Sequence, residues 1–241
     1  MKPKIYKFVI LALKKELEVQ GHSPREVERL IKNYSWFLSE YSLLRVLSRS
    51  KLPIDNCKQS LDFLVNRHEI LAKEIKSKST VLDIGCGLGI LACLLARKNC
   101  RVYGIDIDED NLKVARSLSG MLNVAELCTF KKSESNTLPF NKSTFDFVIL
   151  SWILHDIKFQ DREPLLSECI RVLKPYGKCL VLDPENQLNF DQLQEMLSNQ
   201  PVKRIQRKSL STVYDHGVLS NAILVVYRKT TNREFKRKKM F

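Results

Sequence analysis

Thr80-Val81-Leu82-Asp83-Ile84-Gly85-Cys86-Gly87-Leu88-Gly89 is the stretch from which the rest of the chain can be read. An apolar run ends on an acidic residue, and three glycines then alternate with other residues. Leu88, Leu91, Leu94 and Leu95 follow at helical spacing. This is the pattern of a strand entering a tight loop that opens a helix. Glycine supplies positive φ and lets a ligand touch the backbone. The first N–H groups of the helix are open to an anionic group.

The spacing narrows the ligand. A dinucleotide fingerprint needs a further glycine at position 90, where Ile90 stands, so the motif is GxGxG with Asp83 ahead of it. The next strand-like run ends in Gly104-Ile105-Asp106. An acidic side chain there can accept hydrogen bonds from both hydroxyls of a ribose. Asp83, the glycine loop and Asp106 together favour S-adenosylmethionine over a dinucleotide.

Strand and helix patterns alternate outward from this loop. Strands are expected at Val81–Ile84, Arg101–Ile105, Leu127–Lys131, Phe145–Leu150 and Cys179–Leu182, with helical patterns between them. Lys174-Pro175-Tyr176-Gly177 reads as a turn. The last two runs, Val202–Val213 and Val218–Tyr227, have no helix between them and should form a hairpin near Asp215-His216-Gly217. The expected fold is α/β: a doubly wound, Rossmann-like, seven-stranded sheet with a C-terminal antiparallel hairpin. A helical N-terminal extension precedes it. Ile5, Val9, Leu13 and Leu17 keep helical spacing up to Gly21, and Ser23-Pro24-Arg25-Glu26 reads as a capping box. The division expected is 1–58 as a helical lid, 59–230 as the cofactor-binding domain and 231–241 as a basic tail.

Composition sets the outer limits. Hydrophobic content is 44% and charged content 28%, as in ordinary globular domains. The apolar run Phe8–Leu13 is too short for a membrane span or a signal peptide, so a cytoplasmic protein is expected. Seven cysteines without a CxxC pair argue against a zinc site and for reduced, mostly buried thiols. The net charge of +13 divides into +6 over residues 1–60, −2 over 61–200 and +9 over 201–241. Basic ends suit an anionic partner such as RNA, or serve as solvated surface with a frayed tail at Lys236-Arg237-Lys238-Lys239.

The glycine motif, with Gly104-Ile105-Asp106-Ile107-Asp108, resembles class I SAM-dependent methyltransferases. Leu138-Pro139-Phe140 and Ser143-Thr144-Phe145-Asp146-Phe147-Val148 resemble a block of their small-molecule-type branch. The resemblance covers about residues 60–229 and implies roles by position. Asp83 with the backbone of Gly85 and Gly87 would hold the methionine end, and Cys86 and Gly89 complete the loop. Asp106 would bind the ribose and Ile107 would pack on the adenine. Glu134, where the family more often has Asp, would lie near the adenine amino group, with Ser135 beside it. Ser151 would stand where cofactor and acceptor meet.

Ser151-Trp152-Ile153-Leu154-His155-Asp156 follows the fourth strand, where open α/β sheets place their sites. His155 is the candidate base for an acceptor that must lose a proton, with Asp156 orienting it. The competing role is a histidine that caps or packs beneath the next helix. Trp152 is either acceptor pocket or core. Tyr34, Trp36, Phe37 and Tyr41 cluster in the expected lid. No Asn-Pro-Pro-Tyr or Pro-Cys motif is present, which weighs against adenine or glutamine amino methylation and against the covalent route to 5-methylcytosine. The reading is transfer of a methyl group to a small or lipid-like acceptor. The alternatives are an RNA methyltransferase using the basic ends, a non-catalytic SAM-binding partner subunit and, more distantly, a dehydrogenase.

Overall fold

The computed structural model describes residues 67–133, 137–215 and 218–231, with residues 18, 21, 23–25, 234 and 235. Most of the expected lid and tail, Glu134 and Ser135, and the hairpin residues His216 and Gly217 lie outside the described residues. Gly21 does adopt the positive φ of a helix-ending glycine, 89°, and its N–H bonds to Glu18 O at 3.1 Å.

Helix α1 (67–74) leads into β1 (Thr80–Ile84), α2 (Ile90–Ala96), β2 (Arg101–Asp106) and α3 (Glu109–Met121). Then come β3 (Cys128–Lys132), β4 (Phe145–Ser151), α4 (Phe159–Val172) and β5 (Leu173–Pro184). Helix α5 (Phe190–Met196), β6 (Val202–Asp215) and β7 (Val218–Lys229) complete the order. The seven strands form one sheet in the order β3-β2-β1-β4-β5-β7-β6. Neighbours run parallel from β3 to β5, and β7 is antiparallel to both β5 and β6. The strand order reverses between β1 and β4, which opens a crevice at the carboxyl ends of the strands.

The central strands are apolar on both faces because helices cover both. Val81, Ile149, Leu180 and Leu224 pack with Leu71 and Ile75 of the α1 region, Leu91 and Leu95 of α2, and Leu112 of α3. Leu82, Val148, Val181 and Val225 face the other way, against Leu165 and Ile170 of α4 and Leu193 of α5. Burying one such side chain is worth roughly 1.5–3 kcal/mol.

Two details refine the expected elements. β5 starts at Leu173, earlier than its apolar pattern suggests. Its pairing with β4 jumps from Phe145↔Leu173 to Phe147↔Lys178, so residues 174–177 bulge out of the ladder. The turn expected there is thus an excursion within a strand, with Tyr176 at φ 64°. The Leu138-Pro139-Phe140 block is held by α4. Arg171 donates to the carbonyls of Phe140 (2.8 Å) and Leu138 (3.0 Å), and the Leu138 N–H donates to Glu168 (2.9 Å). Phe140 also meets Tyr103 and Phe145 edge-on.

Candidate functional site

The crevice holds a cavity of about 480 Å³. One side of it is built from backbone. Gly85 and Gly87 take φ of 68° and 50°, and the loop is strapped to the end of β2. The N–H groups of Gly85 and Cys86 both donate to Ile105 O, at 2.8 and 3.0 Å. Gly87 N–H donates to Asp106 Oδ2 at 2.8 Å, and Asp108 N–H to Asp106 Oδ1 at 2.9 Å. Each carboxylate oxygen keeps a further lone pair. A Cβ on Gly85 would strike Ile153, so this residue has neither the torsion nor the space for a side chain.

Asp83, Gly85, Cys86, Gly87, Asp106, Ile107 and Ser151 all line the cavity, as the sequence suggested. Asp83 is buried, and Ile107 is 67% exposed, an unusual state for an isoleucine and one that suits a ligand-covered face. The Ser151 hydroxyl is buried with no hydrogen-bond partner among the described residues. Burial and the charges of Asp83 and Asp106 push the Cys86 thiol up, so it stays a neutral, small filler rather than a nucleophile.

Gly89 is not on the wall. Its φ is 72°, and an added Cβ would lie 2.7 Å from Ala115 Cβ of α3 and 3.1 Å from the Phe130 ring. This third glycine lets α2 start close against α3 and β3. Its role here is packing, not ligand contact.

The opposite side is made of side chains. Trp152 sits in the turn after β4 at φ 62°, a region a bulky residue rarely adopts, and its N–H is fixed to Leu182 O at 2.8 Å. The Arg67 guanidinium of α1 lies over its ring at 5.5 Å, a cation–π arrangement. Arg67 and His68 are both buried on the cavity wall, and burial followed by the Arg67 charge holds the His68 imidazole well below its ordinary pKa. Neither Arg67 nor His68 belongs to a recognisable motif in the sequence. Only helical spacing could have hinted at either, because what covers them comes from β4.

His155 stands elsewhere than expected. Its imidazole is 4% exposed and lies behind the cavity wall, with Nδ1 2.5 Å from Oδ1 of the fully buried Asp183. The neighbouring Asp156 does line the cavity. The order expected from sequence, with the histidine facing the acceptor and Asp156 behind it, is therefore reversed. The physical reason is Asp183: a buried carboxylate needs a donor, and the imidazole supplies it. Asp183 itself is pushed up by burial, against the opposing pull of its hydrogen bonds with His155.

A positive-φ glycine loop, an acidic group at each of the first two strand ends and an open crevice define the class I SAM-dependent methyltransferase fold. Residues 82–181 match a family model described as a methyltransferase domain. A demethylmenaquinone methyltransferase of Symbiobacterium thermophilum is 35% identical over 106 residues, 43% of this chain and 41% of that protein. A ubiquinone/menaquinone biosynthesis C-methyltransferase of Marinomonas is 31% identical over 131 residues, 52% of this chain and 51% of that protein. The chain thus spans about half the length of these curated relatives, or less. A SAM-dependent methyltransferase structure from Methanosarcina mazei superposes with a TM-score of 0.60 at 19% identity, over 68% of this chain and 98% of that one. The cofactor of this domain is S-adenosylmethionine. The residues present suit it: a glycine loop in the positive-φ conformation, Asp106 with acceptor capacity to spare, and a buried Ser151 hydroxyl with no hydrogen-bond partner among the described residues.

Proposed function

We propose that this protein methylates a small, lipid-like acceptor. The observation that carries the reading is the junction inside one cavity of a backbone-built nucleoside cradle with an aromatic and aliphatic turn, Trp152, Ile153 and Ile157. When bound, S-adenosylmethionine supplies an electrophilic methyl group on a sulfonium. Asp83 with the Gly85 and Gly87 backbone would hold its methionine end, Cys86 would fill the loop, Asp106 the ribose and Ile107 the adenine, with Glu134 near the adenine amino group. Ser151 stands between the two halves. Since the leaving group is already good, alignment of the acceptor supplies most of the acceleration. The apolar turn orients it and excludes water. Both curated relatives named above carry quinone-biosynthesis or demethylmenaquinone names, and the apolar wall of Ile153 and Ile157 suits a lipid-like acceptor.

The test pairs binding with turnover. Calorimetry should give tight binding of S-adenosylhomocysteine and none of NAD. Preference for NAD would overturn the cofactor assignment. Isotope-labelled S-adenosylmethionine should transfer its methyl group to demethylmenaquinol or to a lipid extract. Label appearing only in RNA would overturn the acceptor class.

A further inference from the structure

The turn between β4 and α4 holds a row of polar groups that leads from the cavity into the core. Asp156 stands at its open end, on the cavity wall, with a side chain 71% exposed. Its Oδ1 lies 3.5 Å from His155 Nε2. The imidazole is almost wholly enclosed, and its Nδ1 meets Asp183 Oδ1 at 2.5 Å. The backbone N–H of His155 points at the same oxygen from 3.4 Å. Asp183 is thus hydrogen-bonded to the imidazole, while Asp156 stands within ion-pair but not hydrogen-bond reach of Nε2, and of the three only Asp156 lines the cavity.

The backbone is arranged to keep them so. Arg162 of α4 donates to the carbonyls of His155 (3.2 Å) and Ile157 (2.9 Å), on either side of Asp156. Asp156 N–H closes a tight turn onto Ile153 O at 3.1 Å. The His155 ring meets the edge of Trp152 at 6.3 Å, and Trp152 is covered in turn by Arg67.

We propose that Asp156 is the proton acceptor for the methyl-accepting group, and that His155 and Asp183 position it and take the proton on. This rests on the methyltransferase reading above. In the step, an acceptor O–H bond breaks heterolytically and the proton goes to Asp156. The electron pair moves into the acceptor's ring, where a carbon becomes the nucleophile; as that carbon takes the methyl group, the pair of the broken S–CH3 bond would stay on sulfur, and the carbon's own proton is then lost to water to restore the ring. From Asp156 the hydroxyl proton passes to His155 Nε2, while Nδ1–H remains on Asp183.

The chemistry favours this order. Imidazole is in general a stronger base than a carboxylate, so the proton moves inward. Asp183 can only accept when ionised, so it fixes the proton on Nδ1 and leaves Nε2 toward Asp156. Asp183 also stabilises the imidazolium that forms. Among the described residues, the charged or titratable groups facing this segment are Asp183 from β5, Asp156 beside it and Arg162 from α4, with Arg67 of α1 on the far side of Trp152. The carboxylates favour the imidazolium and the guanidinium groups oppose it.

The experiment uses the full chain loaded with S-adenosylhomocysteine. Imidazole nitrogen NMR should find His155 protonated on Nδ1 in its neutral form, and Asp156→Asn should move its titration to lower pH. With demethylmenaquinol as acceptor, Asp156→Asn should slow single-turnover transfer about 100-fold while S-adenosylhomocysteine affinity stays within about 3-fold. Asp156 is exposed, so this variant keeps the core intact. His155→Gln should slow transfer about 10-fold and remove the acid limb of the pH–rate profile. His155→Asn, which keeps a donor toward Asp183, should restore folding stability but not that limb. A His155 titration untouched by Asp156→Asn overturns the proposal, as does unchanged transfer in that variant. If the wild type does not methylate demethylmenaquinol, the acceptor reading fails, and the NMR arm still decides the proton path.

Discussion

The two sides of the cavity are built by different means. The cofactor side is backbone: a glycine loop tied to Ile105 O and to the Asp106 carboxylate, with contacts confined to the ends of β1 and β2. The acceptor side is side chain on side chain: Arg67 over Trp152, Trp152 against His155, His155 on Asp183. Backbone recognition demands particular residue types at fixed spacing, so it binds one kind of ligand. A side-chain wall can be repacked while the sheet beneath it stays the same. The difference is what a fold needs if it is to keep one cradle while the wall opposite it varies.

The sharpest way to break the contrast is at Asp106. Its two oxygens organise Gly87 and Asp108 and retain capacity for the ribose hydroxyls. Asp106→Ala should therefore remove both loop order and direct contacts. Affinity for S-adenosylhomocysteine should fall about 1,000-fold, or about 4 kcal/mol, in calorimetry. An affinity within about 5-fold of wild type would mean that the loop is held without it and that the ribose lies elsewhere.

The same contrast accounts for what could be read in advance. Asp83, the glycine loop and Asp106 lie on short local patterns, and alternation of strand and helix fixes where they meet. The doubly wound sheet and the closing hairpin followed from the same signal. His155, in the turn after β4, and Asp183 of β5 are 28 residues apart, and Arg67 reaches Trp152 from a separate helix. No period in the sequence links such partners. His155 next to Asp156 suggested a histidine steered by its neighbour, whereas burial of Asp183 turned the ring inward. Gly89 was legible as a positive-φ residue, but its close neighbour Ala115 belongs to another helix.

Gly89 gives the next effect in size and separates packing from binding on the cofactor side. Gly89→Ala puts a Cβ at φ 72° and 2.7 Å from Ala115. The torsion costs about 1–2 kcal/mol and the overlap adds to it. Urea unfolding should report a loss of about 2–3 kcal/mol, while S-adenosylhomocysteine still binds the folded fraction within about 5-fold. A large loss of affinity with unchanged stability would put Gly89 back on the ligand.

The smallest effect concerns Glu168, which holds the Leu138–Phe140 segment beside the sheet without touching the cavity. Its hydrogen bond with Arg171 (2.6 Å) keeps the carboxyl below its usual pKa, opposed by burial and helped by the Leu138 N–H. A depressed carboxyl stabilises the fold above its unfolded pKa of about 4.3, and that stability is lost as pH falls through the folded value. Glu168→Gln should cost about 1 kcal/mol at pH 7, measured by urea unfolding. The gap to wild type should shrink as pH falls from the unfolded value through the lowered folded value, because both proteins then carry a neutral group at this position. A gap that stays constant with pH would trace the cost to shape rather than charge. If Glu168→Gln also weakened S-adenosylhomocysteine binding more than about 3-fold, the segment after β3 would count as part of the cofactor side, and the boundary between the two sides would move with it.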